Sequence, residues 1–188
     1  MAKRVSRTAT LARPEFSLYL SSMFLKNLNE YIGRAVSWLT FILVILVVYD
    51  VLMRYLFNST AVWIGELEWH LFALLFLLGA GYALKHDRHV RVDLFYGNFS
   101  KRDRAWVDLI GHSVLLLPWC IVLIWVSSRY AYDSFQIGEG SPDPGGLPFR
   151  FLVKSAIPLC FVLLLLQGVL QILERIKLLR NPSENRHG

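Results

Sequence analysis

Residues 50–69 read DVLMRYLFNSTAVWIGELEW, and this stretch decides the fold because it joins two long apolar segments. It also places four charged residues at or close to a membrane boundary, namely Asp50, Arg54, Glu66 and Glu68. A charged side chain near the centre of a membrane helix costs roughly 2.5–3.5 kcal/mol. We therefore expect these side chains to have partners elsewhere in the chain.

The composition indicates an integral membrane protein. Of the 188 residues, 55% are hydrophobic, and a soluble domain of this length would not contain such long apolar runs. The net charge of +6 comes from Lys and Arg residues in alternate connecting segments, which is the pattern of the positive-inside rule and argues against nucleic acid as a partner. Cys120 and Cys160 lie mid-way along apolar segments, as is typical of small buried side chains.

The apolar runs predict an all-α membrane protein with transmembrane helices at about residues 35–57, 63–84, 108–132 and 149–173. Each is close to the ~20 residues that cross ~30 Å of hydrocarbon. Lys and Arg number six up to Arg34, six between the second and third spans, and four in the C-terminal tail. Both termini are therefore predicted to be cytoplasmic. We find no internal repeat of the kind that builds an inverted-repeat transporter core.

The segments outside the membrane domain, 35–175, are short. Residues 1–13 are predicted to be a basic flexible tail, and residues 176–188 a cytoplasmic tail. Residues 14–34 repeat apolar side chains every three or four positions. This spacing predicts an amphipathic helix at the inner membrane surface, with a helix that faces a partner as the alternative. Ser100 and Asp103 resemble a capping box that opens a helix before the third span.

Charged groups of all four spans are expected at one depth, near the outer membrane surface. Asp50 and Arg54 are four residues apart on one helix face, as are Glu66 and His70 on the next span. We place Glu66 in the first turn of its helix, with Arg54 or Lys154 as the expected partner. Three interpretations remain open: an ion-paired network that fixes helix packing, contacts with a partner protein, or an ion or proton pathway.

Residues 133–149, DSFQIGEGSPDPGGLPF, form the connection between the third and fourth spans. Their acidic residues and their lack of Lys and Arg place them on the outer side. The Gly and Pro content predicts turns in this connection and not a helix.

Cofactor and enzyme chemistry is not indicated. His70 and His112 are expected at opposite depths, so they cannot ligate one haem iron. His86 and His89, with Asp93 nearby, have a spacing that alone is weak support for a metal site. The chain contains neither a Gly-rich phosphate loop nor a recognisable nucleophile motif. We therefore expect no cofactor and no catalytic activity.

Four stretches carry a family resemblance. They are MRYLFNSTAVWIGELEW at 53–69, LLGAGYALKHDRHVRVD at 77–93, GEGSPDPGGLPFRFLVKSAIP at 138–158 and LLLLQG at 163–168. In order and placement they resemble the DctQ-like small membrane subunit of tripartite ATP-independent periplasmic (TRAP) transporters, over about residues 28–175. The matching positions include Tyr55, Gly79, Ser141 and Pro158.

The resemblance implies a bacterial inner-membrane protein that scaffolds a large elevator-type membrane subunit. It implies cation-coupled uptake of an organic acid delivered by a periplasmic binding protein. Sodium coupling and substrate binding are expected in the large subunit, so this chain is expected to hold neither. The alternative function is a membrane anchor or assembly subunit of a redox enzyme, which would need haem ligands at matched depth.

From the charges and the resemblance together, we single out residues for structural or partner-contact roles. They are Asp50, Arg54, Asn58, Trp63, Glu66, His70, His89, Asp93, Arg129, Glu139, Lys154 and Gln167.

Overall fold

The computed structural model describes residues 12–86 and 99–180, with side chains from Asn27 onward except that of Lys101. Every regular element in these ranges is helical: α1 Ala12–Leu56, α2 Val62–Lys85, α3 Lys101–Ile110, α4 Leu117–Gln136 and α5 Phe151–Arg180. A π-helical segment, Gly111–Leu116, joins α3 to α4. Within these ranges, four helices are long and apolar enough to cross a membrane, namely Asn27–Leu56, Val62–Lys85, Arg102–Gln136 and Phe151–Arg180. This confirms the all-α fold with four spans.

α1 differs from the prediction because it runs without a break through the expected boundary at residue 34. Residues 30–40 contain no proline, and two contacts with four-residue spacing continue the helix across Gly33. Arg34 pairs with Glu30 at 3.4 Å, and Ser37 Oγ donates to the Gly33 carbonyl at 2.9 Å. Residues 14–34 are therefore not a separate helix, and their interfacial position stays a prediction.

The helices that form the spans are also longer than the apolar runs predicted. α5 continues to Arg180, into residues assigned to the tail, and the third span begins with α3. We call the end that holds the α1–α2 turn and the α4–α5 connection the outer end, because the charge distribution predicts it to be periplasmic. Most of the additional residues lie at the opposite, inner end, and α4 adds one further turn at the outer end, to Gln136.

α5 lies at the centre of the bundle, packed against α4, α2 and α3, while α1 packs chiefly against α2. Of the four spans it has the largest buried share. A cluster of Leu84, Cys120, Cys160 and Leu164 joins α2, α4 and α5. Both cysteines are free and buried, as their apolar surroundings predicted.

Local sequence accounts for the ends of two helices. Asn58 follows α1 with a φ of 49°, a left-handed conformation that asparagine tolerates, and the Ser59 amide donates to the Met53 carbonyl at 3.1 Å. Ser100 caps α3 by accepting from the Asp103 amide at 3.2 Å, so the predicted capping residue is confirmed. Pro118 follows the π-helical segment and has no amide proton for the regular helical ladder.

Gly81 marks a close approach of α2 to both α1 and α5. A Cβ at this position would lie 2.9 Å from Asn29 Oδ1 of α1 and 3.2 Å from Leu163 Cβ of α5. Small residues let membrane helices approach in this way, because van der Waals packing drives their association. The three helices meet at this point only because residue 81 has no side chain.

We expect Gly81→Ala to destabilise the bundle by about 1–3 kcal/mol, because the added methyl group must displace packed atoms on two helices. Gly65→Ala is the matched control on the same helix, since a Cβ there meets nothing within 4 Å. The control should be neutral or slightly stabilising. Thermal unfolding of both variants in detergent checks this, and equal midpoints would contradict the packing argument.

Candidate functional site

Glu66 is the centre of the outer polar layer and is buried, with 6% of its surface exposed. Its carboxylate accepts hydrogen bonds from Ser141 Oγ and from the Leu147 amide, the latter at 2.5 Å. Arg150 Nη2 donates to the same carboxylate at 3.1 Å. Two predictions about this residue were wrong. Glu66 lies one turn beyond the first turn of α2, and its cation is Arg150, not Arg54 or Lys154.

The Glu66 carboxylate attaches the α4–α5 connection to α2. Residues 133–136 of the predicted connection continue α4, and the rest forms turns, as predicted. In these turns the Ser141 amide donates to the Leu147 carbonyl at 3.0 Å. Gly146 is required here, because a Cβ would lie 2.7 Å from Glu66 Oε2 and nearer still to Ser141. Phe149 adopts a left-handed φ of 64° just before Arg150. That conformation costs roughly 1–2 kcal/mol in a residue with a side chain, and it reverses the chain so that Arg150 reaches Glu66.

Glu139 and Lys154 form a second ion pair across the same connection, with both side chains mostly buried. The Lys154 ammonium also lies 4.1 Å from the centre of the Tyr130 ring. The Arg150 amide donates to the Glu139 carbonyl at 3.0 Å, so this pair adjoins the Glu66 contacts. The hydrogen bond from Lys154 holds the pKa of the Glu139 carboxyl below its usual value of 4.5.

Asp50 and Arg54 pair along one face of α1, as their spacing predicted. Asp50 is buried, whereas the Arg54 side chain is more than half exposed. Glu68 of α2 lies within electrostatic range of both residues. Its Oε1 atom is buried, yet it has no hydrogen-bond partner among the described residues.

The other outer residues singled out from the sequence are not joined into one network. His70 Nδ1 contacts the Glu66 carbonyl oxygen and not its carboxylate, and the His70 ring stacks on Trp69 at 3.8 Å between centroids. Arg129 is exposed and lies 5.2 Å from the centre of the Trp125 ring. Trp63 is also exposed. The outer layer is therefore a set of separate pairs.

A second polar layer, at the inner end, was largely missed by sequence reasoning. Asn29 Nδ2 donates to Gln167 Oε1 at 2.9 Å, and Gln171 Nε2 donates to the Leu84 carbonyl at 2.8 Å. Arg175 pairs with Asp108 at 3.0 Å. Residues 167, 171 and 175 lie four apart on α5, and this polar stripe in an apolar helix was the available signal.

Glu30 extends this inner layer across α1 and α2. Its carboxylate lies 2.6 Å from Lys85 Nζ and 3.2 Å from His86 Nε2. His89 and Asp93, singled out by the family resemblance, lie outside the described residues.

This arrangement of side chains is suited to a structural role. In residues 27–86 and 99–180, no three His, Cys, Asp or Glu side chains come together as a metal site would require. The buried carboxylates Asp50, Glu66 and Asp108 each have a cation of the same chain. These contacts fix helices and the outer connection relative to one another, which agrees with the packing interpretation of the charged layer.

Comparison with known proteins adds an independent finding. Residues 43–178 match the family model described as "Tripartite ATP-independent periplasmic transporters, DctQ component". The chain is also similar to the C4-dicarboxylate TRAP transporter small permease protein DctQ of Vibrio cholerae serotype O1, at 28% identity. That similarity covers 61% of this chain and 58% of the relative, so the chain spans less than two thirds of the relative's length.

We expect Glu66→Ala to destabilise the protein by about 2–3 kcal/mol. Removing one member of a buried pair leaves an uncompensated charge, although Arg150 keeps part of its hydration. The α4–α5 connection should also become sensitive to protease added from the outer side. A double-mutant cycle with Arg150→Ala measures the coupling by thermal unfolding, and strictly additive effects would contradict a direct pair.

Acid should remove the contribution of the Glu139–Lys154 pair. Because the folded pKa of Glu139 is lowered, this contribution is complete above about pH 4.5 and is lost as pH falls through the lowered folded value. The unfolding midpoint of the wild type should exceed that of Glu139→Gln at neutral pH, and the difference should shrink below pH ~4.5. Asp133→Asn, at an exposed position of α4, is the control. If the difference in unfolding midpoint between the wild type and Glu139→Gln does not change with pH, the Glu139–Lys154 pair is not its cause.

Proposed function

Because the chain belongs to the family of DctQ components of tripartite ATP-independent periplasmic transporters, we propose that it acts as the small membrane subunit of such a transporter. DctQ components are parts of transporters and not enzymes. In this proposal the chain lies in a bacterial inner membrane with both termini in the cytoplasm. Its partners are a large membrane subunit, a periplasmic substrate-binding protein and the lipid bilayer.

The proposed role is to scaffold the large subunit. The observation that supports it most directly is that the buried polar side chains of both layers are mostly committed to one another. Transporter substrate sites are commonly formed near the bilayer midplane at broken helices. Here the contact between α2, α4 and α5 includes an apolar cluster. The substrate and the coupling cation, which we propose to be sodium, are therefore assigned to the large subunit.

A scaffold must resist tilting and sinking while a neighbouring domain moves. Exposed tryptophans toward the outer end of α2, Trp63 and Trp69, favour the interface over the hydrocarbon core or bulk water. A four-span bundle anchored in this way would enlarge the stationary part of the transporter. We propose an organic acid as the substrate class, which includes the C4-dicarboxylates named for the Vibrio cholerae relative. The redox-anchor alternative finds no support in the family match.

Deleting this chain should abolish uptake of the organic acid while the periplasmic protein still binds it. The measurement is uptake of a radiolabelled acid, chosen by a thermal-shift screen of the soluble partner, in cells that retain the large subunit. Expression of the wild-type chain from a plasmid should restore uptake, and the isolated binding protein should keep its affinity. Full uptake by the large subunit without this chain would refute the scaffold role.

A further inference from the structure

Among the described acidic residues of the outer end that are not exposed, Glu68 is the exception. Glu66 and Glu139 each have a cation from this chain, namely Arg150 and Lys154. Glu68 has no salt bridge within the described residues, and its Oε1 atom is buried without a hydrogen bond. A carboxylate without a cation of its own chain is unfavourable in a membrane, and because Glu68 is only half-buried, a cation from a neighbouring subunit can pair with it.

The depth of Glu68 places it beside the Asp50–Arg54 pair and below the membrane surface. Asp50 lies six residues before the end of α1 at Leu56, and Glu68 lies six residues after the start of α2 at Val62. At 1.5 Å per residue, both lie about 9 Å along the helix from its outer end. Asp50 pairs with the Arg54 guanidinium and Glu68 lies within electrostatic range of it, so this group has one more carboxylate than cation.

The surface around Glu68 is also open to a partner. Val51, three residues before Arg54, and Phe72, one turn after Glu68, are exposed, as are the intervening Arg54 and Trp69 side chains. We call this surface, made of Val51, Arg54, Glu68, Trp69 and Phe72, the α1–α2 face. It carries Glu68, which has no salt bridge within the described residues, whereas the third span presents apolar side chains from Val114 to Val126 and one exposed cation, Arg129, whose long side chain can extend to the membrane surface. Lipid alone suits the second surface but not the first.

We propose that the α1–α2 face docks the large membrane subunit, and that a basic side chain of that subunit pairs with Glu68. This inference rests on the proposed function and adds to it the surface and the chemistry of contact. The third span then faces lipid. Charge complementarity selects a cationic partner, since the Asp50–Arg54–Glu68 group already contains one more carboxylate than cation.

The test uses an affinity-tagged small subunit co-expressed with its cognate large subunit and purified in mild detergent. Glu68→Gln should lower the amount of co-purified large subunit about tenfold or more, because it removes one member of a buried charge pair. Val51→Trp should also reduce it, by steric obstruction of the α1–α2 face. Val126→Trp is the matched control on the third span, since Val51 and Val126 are 44% and 50% exposed. It should leave the recovery unchanged.

The outcomes separate this inference from the function on which it rests. If the wild-type pair does not co-purify, the scaffold proposal and this inference both fail. If the wild-type subunit, Val51→Trp and Glu68→Gln all recover the same amount of large subunit, the assignment of the interface to the α1–α2 face is wrong and the scaffold proposal stands. Loss with Val126→Trp alone would assign the interface to the third span. If Glu68→Gln folds poorly when expressed alone, the recovery of the large subunit with Val51→Trp is used to test the α1–α2 face.

Protonation of the Glu68 carboxyl group is the alternative to an ion pair with the large subunit. Infrared difference spectra of the assembled wild-type and Glu68→Gln complexes detect it directly. A protonated carboxyl band that disappears in the variant would overturn the ion pair with the large subunit. An ionised Glu68 in the assembled complex supports it.

Discussion

A polar side chain inside a bilayer has no water to replace a missing protein partner, and this constraint organises the bundle. Both polar layers are solutions to it, and α5 contributes to each. Gln167 and Arg175 reach Asn29 and Asp108 at the inner end, while Lys154 reaches Glu139 at the outer end, next to Arg150, which precedes α5 and pairs with Glu66. The central position of α5 follows, because it is the helix that the others require for their buried polar groups.

The parts of this structure that sequence alone predicts are those set by local rules. Apolar length gives the spans, a four-residue separation gives the Asp50–Arg54 pair, and the Ser100 cap follows from its hydroxyl before a helix start. The partner of Glu66 does not follow, because several cations were expected at one depth. The path of the α4–α5 connection decides among them, through the left-handed Phe149 that no local pattern signals.

The inner polar layer shows the same limit of prediction from sequence. The polar stripe on α5 is visible in the sequence, but Asn29 and Gln167 are 138 residues apart, and nothing local connects them. Helix continuity was misjudged for a related reason. Amphipathic spacing in residues 14–34 indicates a surface, and a surface helix can still be continuous with a span when no breaker separates them. Tertiary packing, and not periodicity, determines where such a helix ends.

The order of synthesis gives the central position of α5 a consequence for biogenesis. Chains emerge from the ribosome in sequence order, so α1 to α4 enter the membrane before the helix that satisfies them exists. Until α5 arrives, Asn29 and Asp108 each lack the partner they have in the finished bundle. A nascent chain is therefore held in an incomplete state until its last span inserts, and a product truncated before α5 leaves Asn29 and Asp108 without these partners.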